Sequence, residues 1–124
     1  MNDALGEMEY RFAELIWSNA PVKSGQLVKM AQDAFGWKKS TTYTMLKRLC
    51  TRGLFENEGG LVKAVLQRED YHLKQGEKVL AEGFGGSLPG FLAAFTRKKR
   101  LSGEEIRALR DLIEKYEEEG DGVK

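Results

Sequence analysis

Apolar residues recur along this chain at intervals of three and four, interrupted by short polar and glycine-bearing segments. Met8, Phe12, Leu15 and Ile16 form one stripe on an otherwise polar segment, which predicts an amphipathic helix over 7–19. Asn19-Ala20-Pro21 breaks it. Ser24 is placed to cap a second helix carrying Leu27, Val28, Ala31 and Ala34, and Gly36 ends that helix. Ser40 is placed to cap a third, from Thr41 to about Arg52, with Gly53 as its stop. Two β-prone runs, Leu54-Phe55 and Leu61 to Leu66, then flank Gly59-Gly60 and predict a hairpin. Helix, helix, helix, hairpin is the order of a winged helix, in which the third helix reads DNA and the hairpin is the wing.

The remainder reads as helical. Residues 69–83 carry Tyr71, Leu73, Val79, Leu80 and Ala81, with Gly76 as a weak point. Gly85-Gly86 interrupt the pattern, Ser87 is placed to cap, and Pro89 suits a first helical turn. Leu88, Phe91, Leu92 and Phe95 make the next stripe. Ser102 and Glu105 have the spacing of a capping box, opening a last helix with Ile106, Leu109, Leu112, Ile113 and Tyr116 on one side. From Glu117 the tail is acidic and then glycine-bearing; negative charge opposes the macrodipole there and predicts fraying. The expected fold class is mainly α with a small β-hairpin wing. A winged helix-turn-helix domain is expected over residues 1–70 and a helical dimerisation region over 71–124.

Composition narrows the function classes. With 41% hydrophobic and 31% charged residues, the 124-residue chain has an ordinary globular composition. No apolar run approaches the roughly 20 residues that span a bilayer, so no membrane insertion is expected. The first residues lack the basic start and apolar stretch of a signal peptide, which points to the cytoplasm. One cysteine and one histidine argue against a disulfide and against a tetrahedral zinc site. No Ser/His or Cys/His constellation, phosphate-cradling glycine loop or carboxylate cluster with metal spacing is legible, so neither an enzyme nor a cofactor is expected.

The net charge is only +1, so the distribution of charge matters more than its sum. From Ala34 to Phe55 there are five basic residues and no acidic one. On a helix of about 3.6 residues per turn, Thr42, Met45, Leu46 and Leu49 fall on one side of the third helix. Ser40, Thr44, Lys47 and Thr51 fall opposite, flanked by Thr41, Tyr43 and Arg48. Hydroxyls and helix N-terminal N–H groups reach phosphates, and Lys47 or Arg48 can donate to guanine edges. Lys38 and Lys39 precede the helix, where backbone phosphates would lie. The wing is less basic: Glu56 and Glu58 flank its tip and Lys63 is its cation, so it is either structural or touches DNA through the backbone at Gly59-Gly60. The face also suits an acidic protein partner, which gives a second reading: a winged-helix protein-interaction module that does not bind DNA. Affinity for duplex DNA and its salt dependence separate the two.

"LGEMEYRFAELIWSNAPVKSGQLV", "STTYTMLKRLCTRGLFENEGG" and "FGGSLPGFLAAF" followed by "LSGEEIRALRDLI" together resemble the penicillinase-repressor family, the BlaI/MecI/CopY regulators, from about Leu5 to Tyr116. The resemblance implies a homodimeric transcriptional repressor: a winged helix binds a palindromic operator and a helical C-terminal region dimerises. It implies DNA contacts at Lys39, Ser40, Thr41, Tyr43, Thr44 and Lys47. In the antibiotic-responsive branch, induction is a cut by a membrane sensor-protease, before a phenylalanine that aligns with Phe95 and after an asparagine. Here Ala94 stands before Phe95. The copper-responsive branch carries a C-terminal cysteine cluster, which this chain lacks.

Independently of the resemblance, residues 74–124 are too few to bury a sizeable core alone. Leu88, Phe91, Leu92, Phe95, Ile106, Leu109 and Ile113 make two apolar stripes on short helices, and a two-fold dimer suits them. Trp17 and Trp37 are expected to pack, Cys50 to act as a small filler, and Arg97-Lys98-Lys99-Arg100 to be a solvated turn.

Overall fold

The computed structural model describes residues 4–121. In chain order its elements are α1 (Glu7–Asn19), β1 (Val22–Lys23), α2 (Ser24–Phe35), α3 (Lys39–Thr51), β2 (Phe55–Glu58), β3 (Leu61–Ala64), α4 (Arg68–Gly83), α5 (Leu88–Thr96) and α6 (Gly103–Asp121). The fold is mainly α with a small antiparallel sheet: a winged helix followed by further helices. Contacts divide the chain into two compact units, Met1–Lys78 and Val79–Lys124, the division falling within α4.

In the first unit the apolar stripes meet, except that Ala34, expected on the α2 stripe, is exposed near that helix's end and Met8, Leu15 and Val28 are only half-buried. Phe12, Ala13 and Ile16 of α1, Leu27 and Ala31 of α2, and Leu46 and Leu49 of α3 are buried together. Leu54, Phe55, Val62 and Tyr71 complete the core. The hairpin turns through Gly59 and Gly60 at φ 56° and 89°, the left-handed pair that a two-residue turn of this hand requires. Its strands align Phe55 with Ala64 and Glu58 with Leu61. A third strand, β1, pairs Val22 with Val62, so the sheet order is β1-β3-β2. Two residues carry no readable alternation, and that strand was not expected from sequence.

Both tryptophans pack. The Trp17 indole N–H donates to the Leu66 carbonyl at 2.9 Å, and its ring lies 5.5 Å from Phe55 and 5.7 Å from Tyr71. Trp37 stands edge-on to Phe12 at 5.1 Å and beside Phe35 at 4.9 Å. The start of α4 is tied to α1 by polar groups. Arg68 donates to Glu14 at 3.0 Å and to the Ser18 hydroxyl at 2.9 Å, while the Tyr10 hydroxyl lies 3.0 Å from both Glu14 and His72 Nε2. These groups are partly exposed, so they add little to stability.

Two of the expected caps are corrected. Ser24 is the first residue of α2, not its cap; Lys23 takes that place without a side-chain bond. Ser24 is spent elsewhere: its N–H donates to Gly60 at 2.7 Å and its hydroxyl meets Tyr43. Nor does Ser40 cap α3, which begins at Lys39, two residues before the expected start, with Lys38 at the cap, again without a side-chain bond. The Lys38 carbonyl instead accepts from the Thr42 N–H at 3.0 Å and the Thr42 hydroxyl at 3.2 Å.

The second unit keeps its expected caps but shows no buried core among the described residues. Ser87 accepts from the Gly90 N–H at 2.9 Å, and Ser102 and Glu105 exchange bonds of 2.9 and 3.1 Å. Phe91 lies between Phe84 (5.3 Å) and Phe95 (5.8 Å). None of residues 72–120 is buried. The acidic end expected to fray from Glu117 is helical through Asp121; the rest of that tail, residues 122–124, lies outside the described residues.

Phe55 is 1% exposed and anchors the sheet to the helices. Phe55→Ala is expected to destabilise the first unit by about 3–5 kcal/mol in urea unfolding; a loss below about 1 kcal/mol would mean the hairpin does not depend on that contact.

Candidate nucleic-acid interface

α3 sorts its side chains as its sequence dictates. Thr42, Leu46 and Leu49 are buried and Met45 is half-buried. Lys38, Lys39, Ser40, Thr41, Thr44, Lys47 and Arg48 are exposed, so seven of the eight residues expected to touch DNA lie open to solvent. Burial of one stripe thus turns hydroxyls and cations outward together. No side chain caps the start of α3, so its first-turn N–H groups keep their positive character. Such an end suits an anion.

Tyr43 differs from the other seven. It is half-buried, and its hydroxyl lies 3.1 Å from the Ser24 hydroxyl. That bond had no signal in the sequence. Of the five cations between Ala34 and Phe55, Arg52 also differs. It forms an ion pair with Glu9 at 3.4 Å and donates to the Ala4 carbonyl at 3.4 Å. Lys38, Lys39, Lys47 and Arg48 carry the charge of the outward face.

The wing brings Glu56, Asn57 and Glu58 to the surface, with Glu56 directly opposite Lys63 in register. That pairing offsets part of its acidity. Cys50 is half-buried in a groove with Tyr43, Leu46, Lys47 and Asn57. Burial first, then the charge of Glu56, pushes its thiol above the usual range, so it is a poor nucleophile at neutral pH. A cavity of about 570 Å³ is lined by Arg52, Leu54, Leu66, Tyr71, Lys74, Gln75 and Lys78. That set holds no nucleophile–base pair and no carboxylate. Among the described residues no group of three or more His, Cys, Asp or Glu could hold a metal ion.

In the second unit, Leu88, Phe95, Ile106 and Ile113 are exposed by 58, 42, 39 and 56%, and Phe91, Leu92 and Leu109 are half-buried. Phe91, Leu92, Phe95, Leu109 and Leu112 line an apolar groove of about 390 Å³. The Ala94–Phe95 bond lies inside α5, near its end. Arg97, Lys98, Lys99 and Arg100 are all exposed at the turn between α5 and α6. No helix among the described residues is long and apolar enough to cross a membrane.

Comparison with known proteins finds relatives along nearly the whole chain. The chain is 24% identical over 116 residues to the penicillinase repressor of Bacillus licheniformis, covering 90% of this chain and 91% of the relative. It is 21% identical over 115 residues to the methicillin resistance regulatory protein MecI of Staphylococcus aureus, covering 90% and 94%. The MecI of Mammaliicoccus sciuri is 20% identical over the same shares. The family model described as penicillinase repressor matches residues 5–115. The chain therefore belongs to the penicillinase repressor family, a family of transcriptional repressors.

Proposed function

We propose that this protein is a sequence-specific DNA-binding transcriptional repressor, acting in the cytoplasm as a homodimer on a palindromic operator, and not an enzyme. The observation that carries the reading is the outward face of α3. It joins an uncapped helix start, the hydroxyls of Ser40, Thr41 and Thr44, and four exposed cations, with no acid between Ala34 and Phe55. Phosphates would be met by Lys38, Lys39 and the first-turn amides, and base edges by Thr44, Lys47 and Arg48. A protein-interaction module would use the same face for an acidic partner, but the uncapped N–H groups favour phosphate.

The homodimer rests on the second unit. Seven apolar residues (Leu88, Phe91, Leu92, Phe95, Ile106, Leu109 and Ile113) lie on helices that bury none of their described residues. Two copies joined there would carry two α3 helices, as a palindromic site requires. Proteolytic release would act through this stripe, since a cut at Ala94-Phe95 would divide the dimerising surface, but Ala94 departs from the asparagine of the antibiotic-responsive branch.

Four cations per protomer set the salt dependence. If two protomers each neutralise about four phosphates, log K should fall against log salt with a slope near −7. Titration of a duplex selected from a random pool, across a range of salt, measures it; a flat response would favour the protein-interaction reading. Phe95→Ala should weaken dimerisation by about 3–5 kcal/mol, with operator affinity falling alongside and non-specific DNA binding retained. Analytical ultracentrifugation decides this one: a dimer as tight as wild type would place the interface elsewhere.

A further inference from the structure

We propose that Tyr43 is a positioning residue and not a base-reading one, and that its bond to Ser24 locks the wing turn and α3 into one rigid unit. The inference rests on the DNA-binding reading above and assigns a role inside it. Ser24 joins three elements. It opens α2, its hydroxyl lies 3.1 Å from the Tyr43 hydroxyl of α3, and its N–H donates to Gly60 in the wing turn at 2.7 Å. The residue is 9% exposed, so water competes little for these bonds. Gly60 holds φ 89°, a conformation that a side chain would strain, and this sets the direction of the carbonyl that Ser24 meets. The register of β1 on β3, Lys23 beside Leu61, brings Ser24 to the turn.

Tyr43 reaches this point from the flank of the outward face. It shares a groove with Leu46, Lys47, Cys50 and Asn57, between α3 and strand β2. The residue is half-buried, and its hydroxyl meets the Ser24 hydroxyl. Tyr43, Ser24 and Gly60 therefore form a relay from reading helix to wing turn. A relay of this kind lets both elements meet the duplex without first being ordered, and ordering costs affinity.

Affinity of the full chain for a duplex selected from a random pool tests this with Tyr43→Phe, Ser24→Ala and the double variant. Tyr→Phe keeps the ring, and Ser→Ala suits a helix, so both should fold; melting temperatures check it. Each single variant should lower specific affinity about 3- to 10-fold, the size of one net hydrogen bond. The double variant should lose no more than either single one, because both remove the same bond. The salt slope should not change, since no charge is touched. Three results would overturn the proposal: loss in Tyr43→Phe with Ser24→Ala binding as wild type, which would put the phenol on DNA; full additivity; or wild-type affinity in all three. A second measurement needs no DNA. In the free protein, Tyr43→Phe should speed amide exchange at Ser24 by a similar factor while exchange at Leu49 stays fixed. Unchanged exchange at Ser24 overturns the relay, whereas failure of the wild-type protein to bind any duplex would overturn the DNA-binding reading instead.

Discussion

Thr42, Leu46 and Leu49 are sealed into the core of the first unit, and that burial decides which way α3 faces. Each fully buried leucine contributes roughly 1.5–3 kcal/mol. Rotating the helix by one residue would surrender that energy and would also bury a lysine or a hydroxyl without a partner. The proposed reading surface is therefore not held by its own contacts. Lys38, Lys39, Ser40, Thr41, Thr44, Lys47 and Arg48 point outward because their neighbours cannot. The Thr42 hydroxyl escapes the cost of burial by bonding back to Lys38, at the point where the helix begins.

The two units solve the same problem differently. The first encloses its apolar stripes with three helices and a sheet, and its polar ties, such as Arg68 with Glu14 and Ser18, adjust geometry at the edge. The second has comparable stripes but encloses none of them, and leaves Leu88, Ile113 and Tyr116 more than half exposed. Apolar surface on that scale calls for a partner, and a second copy answers it in the proposed dimer. Operator binding and association would then be linked, since each protomer contributes one α3.

What was legible in the sequence follows from how local each interaction is. Helix positions could be read because a stripe repeats within a few residues, and the caps at Ser87 and Ser102–Glu105 because cap and partner lie three residues apart. The hairpin was legible because Gly59-Gly60 is the turn itself. Ser24 and Ser40 were misread as caps. Local preference for serine is real, but Ser24 had a stronger claim from Tyr43, 19 residues on, and from the wing turn. Arg52 sits at the end of a basic face by sequence, yet Glu9, 43 residues away, draws it aside. Strand β1 was invisible because two residues cannot show alternation; only Val62 across the sheet defines it. The exposed face of α3 was legible in full except at Tyr43, where a distant partner again decided the side chain's place.

The outward face of α3 and the turn from Arg97 to Arg100 are both basic and exposed, and the proposed reading puts DNA on the first. Amide chemical-shift mapping of the labelled full chain with a selected duplex tests that assignment directly. Perturbations should concentrate at Lys38 to Arg48 and at Gly59-Gly60, and leave Arg97 to Arg100 unmoved. Shifts concentrated at Arg97 to Arg100, with α3 silent, would contradict it.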